Sequence, residues 1–312
     1  MAKAHENTYA TKPSDGQKVN FGEMSVSQLY ELHFLEESFA AKEALGLPPF
    51  SKERSEALER GYRFITELMK ARDLKEYGKP VTNLGSGRGG PNALVKLAKK
   101  KLRQNGSALL CEIGVGAGRA ISAVLDGIDS QSLEIVGCDI AIDESLMNLP
   151  RTRLVAASAY DFIKGLPDGS VDILYSDNVF EHFCPDEAPV IYAELAKKLA
   201  PGAALLLVIP NRLIGPFDIS GKFLQTGEKA KGFHFMEMTF GEVAKAFAPH
   251  GIRPSHCALY VPKIQKFIML KSRALAGLKL RLEGFFAKMP KKLKFFFLYC
   301  GGYHISAFAK KP

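Results

Sequence analysis

Ala108-Leu109-Leu110-Cys111-Glu112-Ile113-Gly114-Val115-Gly116-Ala117-Gly118-Arg119 decides how this chain folds. An apolar run of strand length ends in an acid, enters three glycines at alternate positions, and continues over 119–125 with helical periodicity. Glycines at 114, 116 and 118 let the backbone turn back sharply and approach a ligand closely, and the helix that follows presents free N–H groups. Strand, glycine turn and helix in that order form the opening unit of a parallel α/β sheet.

Downstream of this unit, short apolar runs keep alternating with helical patterns. Strands are predicted at Ala108–Ile113, 133–138, 153–157, 171–176 and 203–209, with two later ones at 253–261 and 303–310. Periodicity of this kind predicts a Rossmann-like, doubly wound, mostly parallel sheet. Its catalytic core is expected over 108–262, with 300–312 as the final strand. Upstream, residues 1–20 are polar and read as a mobile tail. Two helices are predicted over 25–45 and 51–74, separated by Pro48-Pro49. Residues 1–80 are therefore read as a tail and helical cap, expected over the cofactor or the acceptor mouth. A second glycine cluster, Asn83-Leu84-Gly85-Ser86-Gly87-Arg88-Gly89-Gly90, follows Pro80, which leaves little room for a preceding strand, and Asn83 lacks a charge. We read 81–107 as a connector, in which Arg88 is a candidate to hold an anionic acceptor.

The acid ahead of the first loop narrows the ligand. A phosphate-binding loop gains nothing from a neighbouring carboxylate, whereas a ligand bearing a sulfonium and an ammonium, such as S-adenosylmethionine (SAM), does. The second strand runs into Asp139, 21 residues beyond Gly118, where an acid can take both ribose hydroxyls. The alternative for Asp139 is a strand-ending residue that caps the next helix.

The loop, Ser158-Ala159-Tyr160-Asp161, the run from Leu166-Pro167-Asp168-Gly169 through Ser176-Asp177-Asn178-Val179-Phe180-Glu181-His182, and 199–210 together resemble the class I SAM-dependent methyltransferases, in particular the methyltransferase type 11 group. The resemblance covers about residues 108–262. It implies seven strands with the last antiparallel, a helical insertion between the final two strands, and SAM as cofactor. It further implies Glu112, Gly114, Gly116, Gly118, Asp139 and Ile140 as cofactor residues, with Ala159 and Asp161 near the adenine and Asp177 and Asn178 beside the methyl donor. Ser158 departs from the pattern, because relatives commonly carry Asp there, and this weakens the expectation for Asp161.

The acceptor leaves fewer marks. Ser176-Asp177-Asn178-Val179-Phe180 stands where enzymes that methylate nucleobase amines carry an Asp/Asn-Pro-Pro-aromatic motif, and no Pro-Cys pair marks a cytosine-C5 enzyme. Two histidines are candidate proton acceptors, since an ordinary imidazole titrates near neutrality. His234 lies in Gly232-Phe233-His234-Phe235-Met236-Glu237; His182 follows the fourth strand, where the alternative is a packing role. The stretch from Pro210 to Asp218 and Gly232-Phe233-His234 resembles bacterial methyltransferases of surface-glycan and natural-product pathways. The expected reaction is O-methylation of a small molecule or glycan. The alternatives are methylation of a lipid or quinone at a membrane surface, and a non-catalytic SAM-fold scaffold.

Composition limits the remaining classes. With 312 residues and 46% hydrophobic content the chain can bury one α/β core and carry appendages. Five scattered cysteines, odd in number and without a CxxC pair, predict reduced thiols, no disulfide and no metal site. No leader and no apolar run long enough to span a bilayer is evident, so a soluble cytoplasmic protein is expected. The net charge of +9 is confined to 263–299, which holds ten basic residues and one acid. Such confinement argues against nucleic acid as partner. Apolar residues recur there at helical spacing (Ile264, Phe267, Ile268, Leu275, Leu278, Leu282, Phe285, Met289) ahead of Phe295-Phe296-Phe297-Leu298. A basic helical insertion is predicted, placed either against the protein's own core or against the inner face of a membrane.

Overall fold

The computed structural model describes residues 9–78, 89–261 and 266–312. The expectations for residues 83–88, Arg88 included, for the tail ahead of Tyr9, and for residues 262–265 including Ile264 lie outside the described residues. The chain forms two compact units, one of Met1–Gly85, His182–Glu187 and Gly215–Met236, the other of Ser86–Glu181, Ala188–Ile214 and Glu237–Pro312.

In the first unit, β1 (Tyr9–Thr11) and β2 (Lys18–Asn20), within the stretch expected to be a mobile tail, form a short antiparallel pair ahead of α1 (Val26–Gly46) and α2 (Lys52–Tyr77), which pack together. Ser25 and Gln28 build a reciprocal capping box at the start of α1. Ser51 caps α2, and Gly78, at φ 71°, ends it in the left-handed conformation that costs glycine least. Phe21, Leu29, Ala40, Phe64, Ile65 and Leu68 form the core with Phe233 and Phe235. Charge is buried beside this core. Arg54, only 2% exposed, donates to both carboxylate oxygens of Asp186 at 2.8 Å and to Glu187 at 2.9 Å. This bidentate pairing ties the 182–187 segment to α2.

The second unit opens with α3 (Gly89–Asn105), which occupies much of the stretch expected to be a connector. Leu94, Leu97 and Ala98 repeat on one face of α3 and are buried, so tertiary packing orders a segment whose glycines masked its periodicity. There follow β3 (Ala108–Ile113), α4 (Arg119–Gly127), β4 (Leu133–Asp139), β5 (Thr152–Ala156), α5 (Ala159–Gly165), β6 (Val171–Asp177), α6 (Ala188–Lys198), β7 (Leu199–Val208), α7 (Phe240–Phe247), β8 (Ile252–Val261), β9 (Lys266–Leu270), α8 (Arg273–Phe286), α9 (Lys291–Cys300) and β10 (Ile305–Lys310). The strands assemble in the order β5-β4-β3-β6-β7-β10-β8-β9. β3 to β7 are mutually parallel, while β10 runs antiparallel to β7 and β8, as expected for the last strand.

The sheet has eight strands instead of seven. The extra one, β9, comes from the segment predicted to be helical. Phe267 and Ile268 fit helical spacing, but a short apolar run is equally a strand. Pairing settles it, with Ile268 opposite Leu259 and Leu270 opposite Cys257. The helix begins only at Arg273, where Ser272 accepts from Leu275 N.

Candidate cofactor site

β3 has β4 on one side and β6 on the other, so the crossovers diverge at its carboxyl end, where doubly wound sheets bind ligands. The parallel registers pair Ile113 with Cys138 and with Ser176. They bring Glu112, Asp139 and Asp177, three acids distant in sequence, to one edge of the sheet. Between β3 and α4 the chain turns through Gly114, Gly116 and Gly118 at φ 80°, 51° and 70°. Gly114 N and Val115 N donate to Cys138 O at 2.9 and 3.2 Å, and Gly118 N donates to Val115 O at 2.9 Å. A Cβ on Gly114 would lie 2.1 Å from Val179 Cγ2, and one on Gly118 would lie 2.5 Å from Leu146 Cδ2. At Gly116 it would meet nothing within 4 Å, so this is the side of the loop open to a ligand.

Glu112 is 3% exposed and its Oε2 has no hydrogen-bond partner among the described residues. Desolvation, reinforced by the charges of Asp177 and Asp139, pushes its carboxyl well above the usual carboxylate range. Burial likewise raises Asp177 to about 6, although Tyr175 donates its hydroxyl to Oδ2 at 3.0 Å and the Arg119 charge opposes the shift. Asp139 Oδ2 accepts from Gly116 N at 2.8 Å and braces the loop. Three carboxyls crowded around a glycine turn, one of them buried with an oxygen unpartnered among the described residues, suit a ligand that brings positive charge. The donor set fits the ammonium and sulfonium of SAM and would repel a pyrophosphate.

Ile140, directly after Asp139, is 70% exposed and offers an apolar surface at the strand end. At α5, Ser158 Oγ accepts from Asp161 N at 3.1 Å and donates to Asp161 Oδ2 at 2.7 Å. Ser158 and Asp161 therefore form a helix cap with each other, next to Ala159 in the first turn. Asn178, at φ 56°, donates its side-chain N–H to Asp177 Oδ1 at 3.0 Å and its backbone N–H to Val208 O at 3.0 Å. Val179, in the region the resemblance set beside the methyl donor, and Leu146 wall the loop; sequence reasoning missed Leu146, Tyr175 and Arg119. Aliphatic residues and a strand tyrosine carry no sequence signal for such roles.

Both histidine candidates lie in the first unit. His182 Nδ1 is 3.1 Å from Phe233 O and 3.1 Å from the Tyr62 hydroxyl. A carbonyl only accepts, so Nδ1 carries the proton. Desolvation, helped by the neighbouring His234, depresses His182 to about 3. Its ring meets that of His234 edge-on at 4.9 Å. Glu37, on α1, accepts from Phe233 N at 2.8 Å and pairs with His33 Nε2 at 2.8 Å. Burial raises the Glu37 carboxyl, but His33, the Phe233 N–H and the charge of His234 together hold it below its usual value. Glu37 is thus held as a carboxylate beside His33 and His234. The His33 to Glu37 spacing of one helical turn was the sequence signal for it. None of the cysteines is paired, and four of the five are buried.

Residues 111–207 match the sequence model of a methyltransferase domain. Similar solved structures include the carbon methyltransferase CurJ (14% identity, 95% of this chain and 73% of that one, TM-score 0.50). Others are the 1,6-didemethyltoxoflavin-N1-methyltransferase of Burkholderia thailandensis (13%, 85% and 93%, 0.46) and the plantazolicin methyltransferase BamL (11%, 92% and 100%, 0.46). At such identities the similarity to CurJ is one of fold. No curated protein matches the chain significantly in sequence.

Proposed function

We propose that this chain, which carries a class I SAM-dependent methyltransferase domain, O-methylates a small molecule or a glycan intermediate. The observation that carries the cofactor half of this reading is the buried carboxyl of Glu112, whose Oε2 has no partner among the described residues, in the same loop as the open face of Gly116. SAM supplies an electrophilic methyl when bound. Glu112 holds the ammonium end, Asp139 turns from Gly116 N to the ribose hydroxyls, and Ile140 covers an adenine face. Asp177 and Asn178 border the methyl. A hydroxyl acceptor must shed its proton, and we assign that proton to His234, supported by the Glu37 carboxylate next to it. His182, depressed to about 3 and bonded to Phe233 O, is assigned to holding the 233–234 backbone.

Calorimetry with SAM and S-adenosylhomocysteine tests the cofactor reading, which fails if neither binds. Transfer of labelled methyl from SAM into a cell extract, with mass analysis of the product, tests the acceptor. A label on nitrogen or carbon would remove the O-methyl assignment and leave the cofactor site intact.

A further inference from the structure

The amphipathicity of α8 is inverted relative to its packing. The positions it buries are Ala276, Lys279 and Glu283. Lys279 Nζ donates to Gly302 O at 2.7 Å and also reaches Ala258 O and Ile305 O. Glu283 accepts from Phe240 N and Gly241 N, both at 2.8 Å, so its charge sits at the amino end of α7. The inward face of the helix is thus held by charged hydrogen bonds. The stripe Leu275, Leu278, Leu282 and Phe285 is left in solvent, 41, 50, 37 and 61% exposed. Such a stripe would normally be the buried one.

The exposed apolar surface continues beyond α8. Phe286 stacks on Phe297 with ring centroids 4.8 Å apart, which joins the end of α8 to α9, where Leu293, Phe295, Phe296 and Tyr299 are exposed. On the edge pair, Ile268 and its partner Leu259 are exposed too. Cations surround this surface: Lys271, Arg273, Arg281, Lys288, Lys291 and Lys292 are all exposed. The one acid between Lys266 and Pro312, Glu283, is buried and engaged, so this stretch itself has no exposed acid to offset them.

We propose that α8, α9 and the edge strand β9 form a docking face for the surface of an anionic bilayer. Large apolar and aromatic side chains interleaved with lysines suit the boundary between headgroups and acyl chains, where the rings insert and the ammoniums meet phosphates. A second copy is disfavoured, because the same patch meeting itself would bring like charges together, with no exposed acid on these elements to answer them. The proposal is independent of the acceptor's chemistry.

The test is co-sedimentation of the full chain with vesicles of phosphatidylcholine alone and with added phosphatidylglycerol, alongside sedimentation equilibrium without lipid. Binding is expected only to the anionic vesicles. It should fall as salt rises from about 0.1 to 1 M, because the screening length shortens from about 10 to 3 Å. Lys291→Ala with Lys292→Ala should weaken binding about 25-fold, at about fivefold for each cation at the surface. Phe285→Ser with Phe296→Ser should weaken it about tenfold for each ring withdrawn from the interface. All four positions are exposed, so urea melts of both variants should match the parent. Absence of binding to anionic vesicles, or undiminished binding in both variants, overturns the proposal. So does lipid-independent dimerisation abolished by the phenylalanine changes, which would make the face a contact between copies.

Discussion

Replacing Glu112 by glutamine separates the two ways in which the acid at the end of β3 acts. Its carboxyl is 3% exposed, has an unpartnered oxygen, and sits with Asp139 and Asp177 in its field. Without cofactor its folded-state titration lies well above that of the unfolded chain. The penalty is therefore absent below the usual carboxylate range and grows as pH rises. Glu112→Gln removes this penalty, so the cofactor-free variant should be more stable than the parent at pH 7, with the difference vanishing toward pH 4. SAM reverses the balance, because its ammonium makes the ionised form the favoured one. Hydrogen bonds to charged groups contribute about 1.5–3 kcal/mol, so the variant should bind SAM about 10- to 150-fold more weakly. Binding to the parent should also release a proton. Titration calorimetry in buffers of different ionisation enthalpy would detect it as an enthalpy that follows the buffer in the parent and not in the variant. Undiminished SAM affinity in Glu112→Gln, or a buffer-independent enthalpy in the parent, would refute the reasoning.

Gly114→Ala meets Val179 at 2.1 Å on top of a left-handed backbone, whereas Gly116→Ala has open space, so only the backbone preference of about 1–2 kcal/mol opposes it. Urea melts should show the larger loss for Gly114→Ala. His234→Ala should lower kcat by about 10²- to 10⁴-fold while SAM affinity stays within about threefold; near-normal kcat at saturating acceptor would discard the base assignment. His182 stays neutral in the fold down to about pH 3, so nothing is lost above the ordinary histidine range, and stability falls as acid protonates the unfolded chain. Between pH 7 and pH 5 this should cost the first unit about 2 kcal/mol, read as a shift of urea midpoint that His182→Gln suppresses.

The helix that buries Lys279 and Glu283 marks where sequence reading stops. Hydrophobic periodicity located α8 correctly within the basic segment and left open which face it would bury, because a helical stripe looks the same whether it meets a core or water. Likewise Phe267-Ile268-Met269-Leu270 is compatible with either period until Leu259 and Cys257 pair with it. At the cofactor loop, local rules sufficed. Alternating glycines after a strand and an acid at the end of the next have few structural solutions, so Glu112 and Asp139 could be proposed before any coordinates, whereas Asp177 was implied by the family resemblance. Their mutual effect was not, since it depends on the register that brings their charges together.

The sequence by itself determined the parallel α/β topology, the cationic character of the ligand and the position of the glycine turn, because each follows from short-range stereochemistry repeated along the chain. Only the tertiary structure decided that Glu112 Oε2 is buried with no partner among the described residues, that Ser158 and Asp161 cap one another, that His182 is held on Phe233 O, and that the apolar stripe of α8 faces outward. Burial, partner satisfaction and the field at a titrating group are sums over residues distant in sequence, and those sums exist only once the chain has folded.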